Sequence, residues 1–172
     1  YAGYRYGWGE REVGFTMAGV GICASIVQGA LVRPIVARIG ERATLLVGLT
    51  LGAVGFSIYG LASEPRWFLF GVPLMSLWGL SGPAVQGLMS RRVDPSAQGR
   101  LQGAVMSMGS VAGLLGPGLF TQTFATFVAH QEWHFPGAAF VLASGLLLTG
   151  AVLAWIVTAQ GVAPKATVPS ET

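Results

Sequence analysis

Hydrophobic residues run along this chain in five long stretches that short polar joints separate. The stretches cover residues 13–32, 43–62, 67–89, 101–129 and 136–160. None of them contains an acidic, basic or histidine residue. Because a helix needs about 20 mostly apolar residues to cross a hydrocarbon core of about 30 Å, the pattern predicts an all-α membrane protein with five transmembrane helices.

The composition supports the membrane assignment. Of the 172 residues, 52% are hydrophobic and 10% are charged, whereas soluble domains carry about 25% charged residues. The formal charge of +3 does not indicate nucleic-acid binding, because the cations lie in the joints between the stretches. The single Cys23 excludes an intrachain disulfide.

The distribution of arginine predicts an orientation, because cytoplasmic loops carry an excess of Lys and Arg. Two joints carry three arginines each: Arg33, Arg38 and Arg42, then Arg91, Arg92 and Arg100. We expect these joints to face the cytoplasm across a cytoplasmic (inner) membrane, with the N-terminal end outside. The tail at 161–172 is then cytoplasmic, and its composition predicts disorder. The start without Met and the odd number of spans suggest a fragment of a larger bundle.

Glycine and proline recur within and next to the apolar stretches. Three pairs of glycines lie four residues apart, a spacing that lets helices approach closely in lipid: Gly48 and Gly52, Gly99 and Gly103, and Gly109 and Gly113. Proline removes a backbone donor, so we expect helix breaks at Pro83 and at Gly116 and Pro117. Such breaks belong against neighbouring helices or a watery cavity.

A few polar or amphipathic side chains within the spans are candidates for lining a substrate path. They are Gln28, Trp78, Ser81, Gln86 and Ser107. A buried amide in hydrocarbon needs partners, so it faces protein or a cavity. That requirement fits hydrogen bonds between helices as well as substrate binding, and both interpretations stay open.

The motif GLSG at 79–82 raises an alternative, an intramembrane serine protease, since GxSG carries the rhomboid nucleophile and HFPG follows at 134–137. Ser81 lies about fifteen residues from Arg66, roughly 22 Å along a helix, whereas His134 lies near the outer end of a span. Nucleophile and base must come within hydrogen-bond reach, so depth argues against this pair. His130 and His134 also have a ligand-like spacing, but without a third placed ligand no metal site is predicted, and no cofactor motif is present.

The joint RPIVARIGER, followed by ATLLVGL, resembles the signature loop of the major facilitator superfamily. In that loop a G-x-x-x-D-R-x-G-R-R pattern links two helices on the cytoplasmic side. Arg38, Gly40 and Arg42 match the pattern, whereas Arg33 replaces its first glycine, Ala37 its acid and Glu41 one of its bases. A weakened copy of this kind is usual in the second half of these duplicated proteins.

Nearly the whole chain resembles the tetracycline-efflux branch of that superfamily. The resemblance rests on YGWGEREVGFTMAG, VRPIVARIGERATLL, GPAVQGLMS and QGRLQGAVMSMGSVAGLLGPGLF. It implies that the five spans are helices eight to twelve of a twelve-helix fold, with residues 1–160 forming part of the C-terminal half. In this family two six-helix halves enclose a central cavity and alternate its access.

The resemblance also suggests roles for single residues. It puts Gln28 at a polar position of helix eight that faces the central path. It matches Pro83, Gln86 and Gly87 to the helix-ten motif, and Pro117 with its preceding glycine to the helix-eleven break.

Two departures concern proton coupling. The family's efflux proteins often carry a histidine where this chain has Ala24 and an aspartate near Leu51. A coupling acid would therefore lie in the other half of the protein, or at Glu12 or Glu64 near the outer surface.

Together these features predict a secondary active transporter rather than an enzyme. The resemblance implies export of a small amphipathic drug such as tetracycline in exchange for protons. The expected partners are the substrate, protons, the lipid bilayer and the N-terminal half. An uptake symporter of the same fold for another small solute is the alternative.

Overall fold

The structure, a computed structural model, describes residues 1–129 and 135–159. Its α-helices are α1 (Ala2–Tyr6), α2 (Glu10–Ile26), α3 (Val32–Leu61), α4 (Pro65–Ser76), α5 (Ser81–Ser90), α6 (Gln98–Ala129) and α7 (Ala138–Ala159). A π-helical turn, Val27–Leu31, joins α2 to α3, and the 3₁₀ turns Leu77–Leu80 and Pro95–Ala97 precede α5 and α6. The described residues form no strand, which confirms the predicted all-α fold. The spaced histidines and the predicted tail lie outside the described residues.

Four helical stretches of the described chain are long and apolar enough to cross a membrane. They are Glu10–Leu61, Pro65–Ser90, Pro95–Ala129 and Ala138–Ala159. The first has 52 residues, which at 1.5 Å per residue is more than twice the thickness of a hydrocarbon core of about 30 Å. It holds the first two of the five predicted spans.

Gly40 divides this first stretch in two. Its φ of 78° and ψ of 164° lie in a region that is essentially restricted to glycine. The sequence predicts a ten-residue joint at 33–42, but the structure keeps α-helix up to Ile39 and resumes it at Glu41. A single glycine therefore reverses the course of the helix where a loop is expected.

The second part of α3, residues 41–61, is the central helix of the bundle and contacts α4, α5 and α7. Its glycines allow this approach. A Cβ atom added to Gly55 would lie 2.7 Å from the Met75 backbone nitrogen, and one on Gly52 would lie 2.8 Å from the Trp78 Cβ. Gly48 and Gly52 thus act as the close-packing pair that their spacing predicts.

Helix α6 is packed in a different way. It has 32 residues and none of them is buried. Added Cβ atoms on Gly99, Gly103, Gly109 and Gly113 would meet no atom within 4 Å. The two glycine pairs of α6 therefore face no described part of this chain.

The assigned helix α6 also runs without interruption through Gly116 and Pro117. The sequence predicts a break there. Proline lacks the backbone N–H that would bond one turn back, and the remaining bonds of a 32-residue helix carry the helix past that gap.

Candidate functional site

Two irregular helical turns face each other within the bundle. The π-helical turn Val27–Leu31 interrupts the first apolar stretch, and the 3₁₀ turn Leu77–Leu80 interrupts Pro65–Ser90 near its middle. The two turns are in contact. Single π-helical turns occur frequently at functional sites, because they shift the backbone register and free carbonyl groups.

Gln28 lies in the π-helical turn and its amide approaches the facing 3₁₀ turn. A Cβ atom on Gly79 would lie 3.5 Å from the Gln28 Nε2, so the amide lies directly beside this turn. The side chain is exposed, and within the described residues it makes no hydrogen bond or ion pair. At membrane depth an amide without a partner is costly, so this group is available to a ligand, a water or another helix.

Trp78 comes next to this glycine in the chain and turns toward an aromatic cavity of about 600 Å³. Its ring is 41% exposed and makes an edge contact with Phe56, with centroids 6.0 Å apart. Phe120, Phe124 and Phe140 line other walls of the same cavity. Phenyl and indole faces of this kind suit a flat, largely apolar molecule.

The other candidates lie around Gln28 and Trp78. Ser81 is buried, donates to the Trp78 carbonyl at 2.7 Å and lies against Gly48 of α3. Gln86 is half-buried in α5, five residues further along. Ser107 is exposed on α6 and donates to the Gly103 carbonyl at 2.9 Å. The structure thus brings Gln28 and the 77–80 turn together, and it puts the Ser81 hydroxyl at a helix contact.

The expected kink at Pro83 coincides with a real change of helix type. The 3₁₀ turn Leu77–Leu80 ends just before α5, so Pro83 lies in the first turn of the new helix. The first four N–H groups of a helix have no intrahelical partner. Proline at this position therefore costs no backbone hydrogen bond.

At one end of the bundle, the two residues after Gly40 hold two neighbouring helices. Glu41 forms an ion pair with Arg91 beyond the end of α5, with 3.0 Å between Oε1 and Nη2. Arg42 donates from Nε to the Thr158 hydroxyl of α7 at 2.9 Å. Arg38 is exposed and makes no hydrogen bond or ion pair with the described residues. Of the three signature residues, Gly40 and Arg42 thus have a visible structural role in the described chain.

Gly87 has a role that the sequence does not reveal. A Cβ atom at this position would lie 2.5 Å from the Glu41 carboxylate. A side chain at this position would require the Glu41 carboxylate to shift away from its path across α5 to Arg91. The signal in the sequence is the departure itself, since an acid stands at position 41 where the family pattern has a base.

Aromatic residues gather at the opposite end of the bundle. The Tyr1 hydroxyl donates to the Tyr59 carbonyl at 3.0 Å, and the Tyr6 hydroxyl donates to the Ala62 carbonyl at 2.9 Å. Tyr59 stacks on Phe68 with centroids 4.2 Å apart. Burial, and then the hydrogen bond with Tyr6, raise the pKa of the Tyr1 hydroxyl above its usual range.

These features define the class: a polytopic α-helical membrane protein with two irregular helical turns in contact and an arginine-rich end. The chain belongs to the Major Facilitator Superfamily, whose family model matches residues 1–171. This finding confirms the family that the signature loop and the longer motifs predict.

The curated relatives include tetracycline resistance proteins. The class G protein of Vibrio anguillarum is 33% identical over 135 residues, which cover 77% of this chain and 34% of the relative. The class B protein of Escherichia coli is 35% identical over 117 residues, which cover 67% of this chain and 29% of the relative. Hippocampus abundant transcript 1 protein of Homo sapiens is 33% identical over 118 residues, which cover 67% of this chain and 23% of the relative. The chain thus spans about a third or less of these relatives' length, and no solved structure matches it.

Proposed function

We propose that this chain is part of a secondary active transporter that exports a small amphipathic compound, such as tetracycline, in exchange for protons. The observation that carries the proposal is the Gln28 amide, which has no hydrogen-bond partner in the described residues and lies at a π-helical turn opposite Gly79. Membership of a transporter family supports a role for this arrangement in substrate contact. The names of several relatives suggest tetracycline as the compound.

In this proposal Gln28 donates to or accepts from the polar edge of the substrate, and the Trp78 indole contacts its flat apolar part. An amide bonds to a bound molecule without carrying charge into the membrane. The aromatic walls beside Trp78 supply contact area, since phenyl and indole side chains bury 150–250 Å² each. Gln86, about two helical turns beyond Trp78 toward the arginine-rich end, extends the same path.

The proton site lies outside the apolar spans in this proposal, since the spans hold no ionisable group other than Cys23 and Tyr59. Glu12 is the candidate within this chain. Its carboxylate accepts from the Gly9 backbone N–H at 3.0 Å and borders a groove between α2 and α4. Glu64 is less suited, because Arg66 already neutralises it. The N-terminal half of the transporter is the other source of a coupling acid.

Support for a second half comes from α6. A 32-residue apolar helix without a buried residue leaves its glycine pairs open, and glycine pairs allow close helix approach. In this proposal these glycines meet helices of the N-terminal half. The arginine-rich joints face the cytoplasm, following the positive-inside rule.

The test is dissipation of a proton gradient in inside-out vesicles that contain the full-length protein. An acidified lumen is followed with a pH-sensitive dye, and tetracycline is added, followed by other amphipathic drugs. Dissipation by tetracycline is the expected result. Dissipation by another compound alone would mean that this compound, and not tetracycline, is the substrate. No response to any compound would refute proton-coupled drug export and favour the uptake symporter.

The role of Gln28 needs a matched pair of variants in the same vesicles. Gln28→Leu removes the amide beside Gly79 and is expected to raise the substrate KM about tenfold, the effect of losing about 1.4 kcal/mol. Gln102→Leu, on the exposed surface of α6, is the control and is expected to leave KM unchanged. Equal effects in the two variants would exclude Gln28 from the substrate path.

A further inference from the structure

The charges of the described chain are divided unequally between the two ends of the bundle. The end that holds Glu41 carries six arginines and two carboxylates: Arg33, Arg38, Arg42, Arg91, Arg92 and Arg100, with Glu41 and Asp94. The opposite end carries three of each: Arg5, Arg11 and Arg66, with Glu10, Glu12 and Glu64. We name the first set the arginine face.

Most cations of the arginine face have no partner within the described residues. Glu41 is committed to Arg91 at 3.0 Å, and Arg42 donates to Thr158. Arg33, Arg38, Arg92 and Arg100 are exposed and make no hydrogen bond or ion pair there. The arginine face thus has a surplus of guanidinium groups able to bind an anion.

The contacts of Glu41 show that the two arginine-rich joints meet at one corner. The Glu41 carboxylate crosses Gly87 to Arg91, which puts Arg92 beside the start of residues 41–61. The Gln98 amide donates to the Ser90 carbonyl at 2.9 Å, which brings the first turn of α6, with Arg100, to the same corner.

The position of this corner relative to the membrane indicates which kind of anion it meets. Residues 41–61 rise about 31 Å, which equals the thickness of a hydrocarbon core. The arginines at the start of this helix therefore lie at the level of the lipid headgroups. Guanidinium groups bind phosphate with two parallel hydrogen bonds.

We propose that the arginine face binds the phosphodiester headgroup of an anionic phospholipid, through Arg38 and Arg92 around the Glu41–Arg91 ion pair. This site does not depend on drug export and would exist in an uptake transporter as well. The phospholipid is bound beyond the general attraction of a basic loop, because the Glu41–Arg91 pair fixes the corner. Asp94 is the one uncommitted carboxylate of the face and lowers its charge without cancelling it.

The experiment uses the full-length protein, purified in a neutral detergent and titrated with phosphatidylglycerol or phosphatidylcholine in mixed micelles. Bound lipid is counted by native mass spectrometry, and the thermal unfolding midpoint is followed in parallel, since a ligand of the native state raises it. Phosphatidylglycerol is expected to bind and to raise the midpoint, whereas phosphatidylcholine is not. High salt is expected to weaken the effect by screening.

The double variant Arg38→Gln, Arg92→Gln tests the site itself. Each arginine near a membrane surface is worth about fivefold in affinity, so the affinity for phosphatidylglycerol is expected to fall about 30-fold. Arg38→Lys, Arg92→Lys keeps the charge but loses the paired guanidinium hydrogen bonds, so it is expected to recover only part of the binding. The control Arg11→Gln, Arg66→Gln removes the same charge from the opposite end and is expected to bind as the parent does.

Three results would overturn the proposal. One is equal binding of the two lipids, and another is unchanged affinity in the Arg38→Gln, Arg92→Gln variant. The third is full displacement of the lipid by inorganic phosphate, which would make this a site for a free anion. Transport assays can succeed or fail independently of all three, so the proposed function is tested separately.

Discussion

Replacing Gly55 by alanine adds one methyl group where the central helix lies against α4. The new Cβ would lie 2.7 Å from the Met75 nitrogen, 2.8 Å from its Cα and 2.9 Å from its Cβ. Two of these atoms belong to the backbone, so no side-chain rotation can relieve the contact. Residues 41–61 and α4 would have to separate by roughly 0.7 Å to restore a normal contact distance.

The expected energy follows from two opposing effects. Overpacking of a filled contact costs about 1–3 kcal/mol, and the upper part of that range applies where backbone must move. Alanine also gains about 1 kcal/mol over glycine in helix propensity. The net loss for Gly55→Ala is therefore about 1–2 kcal/mol.

Gly109→Ala is the matched control, because an added Cβ there would meet no atom within 4 Å. Only the propensity effect remains, and it should stabilise the chain by about 0.5–1 kcal/mol. Reversible unfolding of the 172-residue chain in mixed micelles, followed by circular dichroism, measures both variants. The same substitution is thus expected to change the unfolding free energy in opposite directions.

A loss of stability in both variants, or in neither, would refute this account of the central helix. The full-length protein adds a second comparison. If Gly109 meets another helix there, Gly109→Ala becomes destabilising while Gly55→Ala keeps its effect. An unchanged gain from Gly109→Ala in the full-length protein would remove the argument that the α6 glycines meet the other half.

Three further predictions concern single contacts. Gly40→Ala is expected to cost about 1–3 kcal/mol, since φ of 78° strains any residue with a Cβ, and the same unfolding assay measures it. The hydroxyls of Ser57 and Ser144, 2.8 Å apart, should show a coupling of about 0.6 kcal/mol in a double-mutant cycle to alanine; additive single effects would mean that the bond contributes nothing. The raised pKa of the Tyr1 hydroxyl keeps the native state protonated where the unfolded chain has ionised, so stability should fall as pH rises above about 10. Tyr1→Phe should reduce that slope, and an unchanged slope would assign it to other groups.

The sequence predicts the helical class and the family well, because both depend on properties spread along the chain. Five apolar stretches follow from hydrophobicity alone, and the signature loop from three residues. The close packing at Gly48 and Gly52 also follows from spacing. Yet the same spacing at Gly109 and Gly113 meets no partner in the described chain. Glycine spacing indicates that another helix can pack closely against this one. Which helix does so depends on the fold.

The candidate site shows a similar limit. The amide of Gln28 is identifiable as a rare polar group in an apolar span, but the π-helical turn around it has no sequence signature. Ser81 belongs to the same group of polar residues, yet the structure turns its hydroxyl to the Trp78 carbonyl. Side-chain direction depends on where each helix changes type. That change is decided by packing between α2, α3 and α4, which no local pattern records.

The central helix is fastened at both of its ends. At one end Glu41 and Arg42 hold Arg91 and Thr158, and at the other the carbonyls of Tyr59 and Ala62 accept hydroxyls from the segment before α2. Neighbouring residues on a helix point about 100° apart, so a turn of this helix about its own axis would break both contacts of the first end together. The central helix is thereby held against rotation about its own axis. Helix α6 has no buried residue, so the described chain holds it less firmly than this central helix.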